Sequence, residues 1–151
     1  MKNIGLAIFV ILLLVGCENK KSIKSSLNEA QISQNDIEYF QNLVGDTVLF
    51  TVDQSGLRPD AINILNAQVK WLKKRTFLPV TIEGHADEQG TREYNLALGA
   101  RRATAVREFF LAKGIEQDRI SIVTYGKERP LRVCSNEDCW SKNRRAVTTV
   151  G

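Results

Sequence analysis

Strand-like and helix-like segments alternate along residues 47–150, and this alternation constrains the fold more than any other feature of the sequence. Runs of β-branched and apolar residues predict four strands, at 47–52, 80–86, 120–125 and 145–150. Apolar residues at helical spacing predict helices at 59–74 and 93–113, and a shorter one near 36–43. The stretch 127–143 is predicted to be irregular. The order α-βαβαββ predicts an α+β fold, with helices packed on one face of a mixed four-stranded sheet.

The composition is that of a single globular domain. Of 151 residues, 43% are hydrophobic and 25% are charged, an ordinary balance for a folded protein. Lys and Arg total 21 against 17 Asp and Glu, and the net charge of +4 is too small to indicate nucleic acid as a partner. Only one long apolar run is present, which argues against a multi-pass membrane protein. The single histidine, His85, excludes any site that needs two histidines from one chain.

Residues 1–16 are predicted to be a lipoprotein signal peptide. The apolar run Ile4–Val15 has 12 residues, too few to span a membrane as a helix but enough for the h-region of a secretory signal. The run ends in Leu-Val-Gly before Cys17, which resembles the lipobox of bacterial lipoproteins, in which the signal is cut before an acylated cysteine. A plain signal peptide followed by an unmodified cysteine is the alternative. Glu18 stands where an Asp tends to retain enterobacterial lipoproteins at the inner membrane, so we expect outer-membrane anchoring.

Residues 17–36 are predicted to be a lipidated, flexible tether, and residues 37–151 a folded domain. The tether is rich in Ser, Asn, Gln and Lys and carries too few apolar residues to bury a core. Its lysines at 20, 21 and 24 lie close to Cys17 in the sequence. They either contact anionic headgroups or are simply solvated.

The predicted second strand ends in a group of polar residues. Strand alternation places Val80, Ile82, Gly84 and Ala86 on one face, which we interpret as core, and Glu83, His85 and Asp87 on the other. The second set fits a solvated face, a ligand site or a metal site, although one histidine is a weak metal signal. Asp87 stands at the carboxyl end of the strand, where ligands of open α/β sheets bind.

The long predicted helix carries an arginine inside its apolar stripe. With Leu98 at the origin and about 100° per residue, Arg102 falls at about 40°, between Phe109 at about 20° and Val106 at about 80°. Arg101 falls at about 300° and points away. Because an unpaired buried charge is strongly unfavourable, Arg102 requires a partner. That partner is a carboxylate of the fold or a charged ligand shared with Asp87.

Cys134 and Cys139 are predicted to form a disulfide, because two nearby cysteines in an exported protein usually pair. A redox or metal role is the alternative. No other residue marks either thiol as activated.

Several spaced motifs resemble a known family. They are Gly84–Thr91 (GHADEQGT), Glu93–Gly99 (EYNLALG), Arg101–Val106 (RRATAV), Tyr125–Pro130 (YGKERP) and Trp140–Val147 (WSKNRRAV). The motifs closely resemble the peptidoglycan-associated lipoproteins of the Tol–Pal system and, more broadly, the OmpA-like peptidoglycan-binding domain. The resemblance covers about residues 45 to 150. Gln89, where enterobacterial members commonly have Arg, and the two late cysteines depart from the pattern.

The resemblance implies a binding protein without a cofactor, and not an enzyme. In this family the ligand is the peptidoglycan stem peptide, read mainly at meso-diaminopimelate, whose side chain ends in an ammonium and a carboxylate on one carbon. By correspondence with the family, Asp87 binds the ammonium and Arg102 binds the carboxylate through a bidentate fork. Further positions match residues of the family's groove or of its supporting shell: Asp53, Thr91, Asn95, Leu98 and Arg144. Whether Arg144 contacts ligand or only orders its loop stays open.

The resemblance also implies an outer-membrane protein, with Tol-complex proteins such as TolB as partners and a role in envelope integrity and cell division. Two other functions are alternatives. A wall hydrolase would use Glu83, His85, Asp87 or Glu88 as acid and base, although no nucleophile motif supports this reading. A scaffold that binds only proteins would keep the fold but not bind muropeptides.

Overall fold

The computed structural model describes residues 32–151 and has the predicted α+β architecture. The predicted signal peptide 1–16, Cys17 and most of the predicted tether lie outside the described residues. The helices are α1 (Gln34–Tyr39), α2 (Pro59–Leu72), α3 (Arg92–Ala112) and α4 (Glu137–Asn143). A π-helical segment (Phe40–Gly45) continues α1, and a 3-10 turn (Gln117–Arg119) precedes the third strand. The strands are β1 (Thr47–Leu49), β2 (Val80–His85), β3 (Ile120–Gly126) and β4 (Arg145–Val150).

The four strands form one mixed sheet in the order β1-β4-β2-β3. The last strand, β4, runs antiparallel to both of its neighbours, with Ala146 opposite Val48 on one side and opposite Gly84 on the other. The β2 and β3 strands are parallel, and their register shifts at Gly84/His85. The β2 strand ends at His85, directly after this shift and one residue before the predicted end of the strand.

The core lies between the sheet and the helices α2 and α3. Val80 and Ile82 of β2 are fully buried against side chains such as Leu65 of α2 and Phe110 of α3. The α3 helix approaches β2 so closely that a Cβ added to Gly84 would stand 1.8 Å from the carbonyl oxygen of Gly99. Glycine at both positions lets the backbones touch, which fixes α3 over the carboxyl end of β2.

Two predicted elements differ from the structure. The first strand ends at Leu49 instead of residue 52, because the chain turns at Asp53, which has a φ of 54°. The stretch 127–143, predicted to be irregular, contains α4. This helix has seven residues and begins at an Asn136 cap, whose side chain accepts a hydrogen bond from the Asp138 amide. It is too short to show a helical period of apolar residues.

Within residues 32–151, no helix is long and apolar enough to cross a membrane.

Candidate functional site

Arg102 is the centre of the candidate site, and its side chain has no solvent exposure. Its guanidinium donates three hydrogen bonds to backbone carbonyls: Nε to Gln54 (2.9 Å), Nη1 to His85 (2.8 Å) and Nη2 to Thr51 (3.1 Å). Burial lowers the pKa of Arg102 to about 10, and the nearby charge of Asp87 opposes this shift. The guanidinium is therefore still charged at neutral pH, and it joins the end of β2 to the loop that follows β1.

The expected carboxylate partner of Arg102 is absent from the part of the chain that the structure describes. No carboxylate of residues 32–151 lies within 4.0 Å of this guanidinium. The alternative of a structural ion pair is therefore wrong for these residues, because backbone carbonyls already accept the donors. Sequence reasoning missed this solution because a loop carbonyl leaves no signal in the side-chain pattern.

Asp87 lies at the end of β2 and pairs with Arg144. Its Oδ2 accepts a hydrogen bond from Arg144 Nη1 at 3.1 Å, and its Oδ1 accepts one from the Gln89 amide at 3.1 Å. The two side chains are 8% and 6% exposed, so the pair is nearly dry. Arg144 also donates from Nε to the Phe50 carbonyl at 3.3 Å. Asp87 is thus fixed by its own loop on one side and by the residue before β4 on the other.

Glu137 of α4 completes this charge cluster. Both oxygens of Glu137 accept hydrogen bonds from Arg144, and these bonds lower the pKa of the Glu137 carboxyl. The same contact is the main reason why the pKa of Arg144 is raised. Arg144 therefore bridges two carboxylates, one buried and one at the surface. Sequence reasoning missed Glu137 because it assigned no helix there.

The loop after β1 covers Arg102 from the solvent side. Thr51, Asp53 and Gln54 are exposed. The carbonyls of Thr51 and Gln54 accept hydrogen bonds from Arg102. Asp53 sits in the left-handed region, and its Oδ1 accepts a hydrogen bond from the Tyr94 hydroxyl at 3.4 Å. The candidate residue Asp53 is therefore at the rim of the site, beside an aromatic ring that is 43% exposed.

The first turns of α3 border the site on the side opposite the loop after β1. Thr91 is the N-cap, and its hydroxyl accepts a hydrogen bond from the Tyr94 amide at 3.2 Å. Asn95 is buried and donates from Nδ2 to the Gln89 carbonyl at 2.7 Å, while its Oδ1 has no partner among the described residues. Leu98 is buried one turn further on. Asn95 thus holds the loop that carries Asp87, Thr91 caps the helix that follows this loop, and Leu98 is buried in the helix interior.

Two further side chains tie the surrounding loops together. Trp140 of α4 donates from Nε1 to Glu88 Oε1 at 3.1 Å, and Lys127 donates to the Gly90 carbonyl at 2.6 Å. Both contacts reach the 88–90 loop from segments far away in sequence. They fall within motifs noted above, but the motifs did not predict these contacts.

The helical wheel predicted the orientations of Arg101 and Arg102 correctly. Arg102 is buried and Arg101 is exposed, with its guanidinium 5.9 Å from the Tyr94 ring. The buried stripe, however, passes through Arg102, Val106 and Phe110, and Phe109 lies at its edge. The stripe faces the sheet at Arg102, so the arginine is central to it.

His85 lies on the same face of the sheet as Glu83, opposite the face on which Gly84 meets α3. It is buried next to Tyr125, with ring centroids 5.4 Å apart, and neither ring nitrogen has a hydrogen-bond partner among the described residues. Burial, and then the charges of Arg145 and Arg129, lower the pKa of His85 to about 4. In residues 32–151 no group of three or more His, Cys, Asp or Glu is placed to hold a metal ion. Glu83 is the nearest carboxylate, at 3.6 Å from Nε2.

The predicted disulfide is confirmed. Cys134 and Cys139 are bonded, with their Cα atoms 5.6 Å apart. The bond joins the segment before α4 to the interior of this helix, and Glu137 lies between the two cysteines. The disulfide is therefore part of the frame that presents Glu137 to Arg144.

Comparison with known proteins places this fold and site in a family. The OmpA family matches residues 49–144. A peptidoglycan-associated lipoprotein of Agrobacterium fabrum is 44% identical over 97% of this chain and 86% of its own length. A protein of the same name from Brucella melitensis is 43% identical over 97% of this chain and 90% of its own length. The chain therefore belongs to the OmpA family and, within it, to the peptidoglycan-associated lipoproteins.

Solved structures agree with this assignment. The peptidoglycan-associated lipoprotein of Burkholderia pseudomallei superposes with a TM-score of 0.70 at 33% identity, over 74% of this chain and 96% of that one. The C-terminal domain of Helicobacter pylori MotB shares the fold with a TM-score of 0.65 at 20% identity, over 70% of this chain and 85% of that one. The names of the lipoprotein relatives describe no catalytic activity.

Proposed function

We propose that this chain is an outer-membrane lipoprotein that binds peptidoglycan non-covalently and links the outer membrane to the cell wall. Acylated Cys17 holds it in the membrane, and the folded domain, which includes α1, faces the periplasm. It acts within the Tol–Pal system, with TolB among its partners, and supports envelope integrity and cell division. Membership of the peptidoglycan-associated lipoproteins supports the binding function, and the lipobox supports the anchor.

One observation carries the ligand assignment: a fully buried Arg102 and a nearly buried Asp87 lie at the same end of β2. The diaminopimelate side chain presents an ammonium and a carboxylate on one carbon. A site that reads both charges needs one anion and one cation close together. Asp87 and Arg102 supply them, in a setting with little water to weaken the interaction.

The ammonium binds Asp87. Its carboxylate accepts two hydrogen bonds in the ligand-free protein, from Arg144 and Gln89, and a carboxylate offers about four acceptor positions. The ligand ammonium uses the remaining positions without breaking the pair with Arg144. Arg144 then acts as a positioning residue, which holds Asp87 at the site.

The carboxylate binds Arg102. Three of the five N–H donors of this arginine are engaged, two of them by the carbonyls of Thr51 and Gln54 in the exposed loop. A ligand carboxylate is a stronger acceptor than a neutral carbonyl, so it displaces these loop contacts while the His85 carbonyl stays bound. Binding therefore moves the loop around Asp53 and leaves the sheet in place.

Calorimetry with a diaminopimelate muropeptide tests this assignment. Asp87→Ala and Arg102→Lys should each weaken binding at least about tenfold, because each removes charge-assisted hydrogen bonds worth roughly 1.5–3 kcal/mol. Arg101→Ala is the matched control, because this neighbouring arginine is exposed. Equal losses at Arg101 and Arg102 would indicate a general basic surface and contradict the charge-pair mechanism.

The anchor has its own test. Cys17→Ala should abolish incorporation of a labelled fatty acid and leave an unprocessed or mislocalised chain. Continued labelling of this variant would show that the lipid is attached elsewhere.

A further inference from the structure

A groove separate from the candidate site opens between α1 and α2. Its volume is about 790 Å³. An ion pair between Asp36 and Arg75 (2.5 Å) joins its two walls, and the Arg75 guanidinium stacks over the Trp71 ring at 4.1 Å. Phe40 packs on the same ring, with centroids 4.8 Å apart. The walls are therefore fixed to the core, and none of the residues proposed above to bind peptidoglycan lines this groove.

The groove is positively charged. Lys70 in the last turn of α2 and Lys74, two residues after its end, are exposed and line it. Neither has a carboxylate within 4.0 Å in the part of the chain that the structure describes. Asp36, the one acidic residue among those lining the groove, is already paired with Arg75. The two lysines thus give the groove an uncompensated positive charge.

Exposed apolar side chains border these lysines. Tyr39 is 50% exposed and Leu43 is 73% exposed, and both line the groove. Lysine ammonium groups beside an exposed tyrosine and leucine are the combination that binds the headgroup region of a bilayer. The ammonium groups meet phosphates, while the tyrosine ring and the leucine enter the boundary with the acyl chains.

The path of the chain points to the same surface. Ser33, next to the first described residue, lines the groove. Fourteen residues lie between Cys17 and Ile32, and a fully extended chain of this length spans at most about 50 Å. Lysines 20, 21 and 24 add positive charge to that segment. From these observations we propose that the groove between α1 and α2 docks on an anionic phospholipid bilayer, the membrane to which the chain is anchored.

This inference rests on the proposed lipid anchor. Anchoring converts docking into an intramolecular event with a high effective concentration, so a weak surface contact is sufficient. Each lysine near an anionic surface raises partitioning about fivefold, and high salt removes this gain. Because docking and wall binding use different residues, a docked domain keeps Asp87 and Arg102 available to the wall.

Amine labelling of the acylated full-length protein in vesicles tests the proposal. One set of vesicles contains 30% phosphatidylglycerol in phosphatidylcholine, and the other is pure phosphatidylcholine. We expect Lys70 and Lys74 to label about fivefold more slowly in the anionic vesicles, and 0.5 M NaCl to abolish the difference. Lys142 of α4, which is exposed outside the groove, is the internal control and should label equally in both.

A matched pair of variants distinguishes docking through this groove from a general effect of the positive charge of the protein. With Lys70→Gln, protection of Lys74, the remaining lysine of the groove, should be lost. With Lys113→Gln, which removes the same charge outside the groove, protection of Lys74 should persist. Equal labelling of Lys70 in the two vesicle types would overturn the proposal. Protection that instead rises with protein density in neutral vesicles would assign the groove to a second copy of the chain and also overturn it.

Flotation of the same samples distinguishes failure of the anchor from failure of docking. A chain that floats with neutral vesicles is anchored, whatever its labelling pattern. A chain that does not float with them lacks the anchor, and the docking proposal falls with it.

Discussion

Replacing Arg102 with lysine should destabilise the domain by about 3 kcal/mol, even though the charge is kept. The fully buried guanidinium donates hydrogen bonds to three carbonyls, those of Thr51, Gln54 and His85. A lysine ammonium is a single nitrogen and satisfies one of these carbonyls. The other two carbonyls then lose their charge-assisted hydrogen bonds, at about 1.5–3 kcal/mol each. A loss of about 3 kcal/mol is a large share of the 5–15 kcal/mol typical of a domain.

Urea denaturation of the soluble chain 18–151 measures this loss, followed by the fluorescence of its tryptophans. With a typical slope of about 1.5 kcal/mol per molar, the midpoint should fall by about 2 M. Arg101→Lys, on the exposed side of the same helix, should shift the free energy of unfolding by less than about 0.5 kcal/mol.

Hydrogen exchange locates the effect within the fold. Amides near Thr51–Gln54 should exchange faster in Arg102→Lys, because the arginine is what ties that loop to β2. The amides of α2 should exchange only through global unfolding. A loss below about 1 kcal/mol, together with unchanged exchange in the loop, would refute the role assigned to these three hydrogen bonds.

Three other substitutions test separate parts of the structure. Gly84→Ala should destabilise by about 3 kcal/mol or more in a thermal melt, because its Cβ would overlap the α3 backbone, whereas Gly56→Ala, with open space around it, should be nearly neutral. Cys134→Ser/Cys139→Ser should lower the free energy of unfolding by about 2 kcal/mol, with muropeptide affinity largely kept on calorimetry. The pKa of His85 is about 4 in the fold, and its ordinary value is 6.5. As pH falls, the unfolded chain therefore takes up a proton on His85 before the folded chain does. Up to about 3 kcal/mol of stability should be lost between pH 6.5 and pH 4. Urea titrations of His85→Phe should lack this component, and an unchanged pH profile would contradict the depressed pKa.

The elements of the fold were largely predictable because periodicity follows burial. The alternation at Val80 and Ile82 marked the core face of β2, and the apolar stripe of α3 marked the side that meets the sheet. The helix α4 was not predictable, because seven residues held by a cap and a disulfide carry no periodic signal. The early end of β1 likewise depends on a local turn at Asp53 that only the backbone reveals.

The site was predictable in its members but not in its connections. A charge in an apolar stripe identified Arg102, and the end of a strand identified Asp87. Their actual partners are loop carbonyls for the first and Arg144 for the second. Both contacts join segments distant in sequence, so no local pattern records them. Glu137 was missed for the same reason, since its role depends on where α4 places it against Arg144.

The central claim is that the domain reads the paired charges at the end of the diaminopimelate side chain. Calorimetric titration of the soluble chain 18–151 with a diaminopimelate muropeptide, and with the counterpart that carries lysine at the same position, tests it most directly. Lysine keeps the ammonium for Asp87 but lacks the carboxylate for Arg102. We therefore expect the lysine form to bind at least about tenfold more weakly. Equal affinity for the two muropeptides would contradict the account.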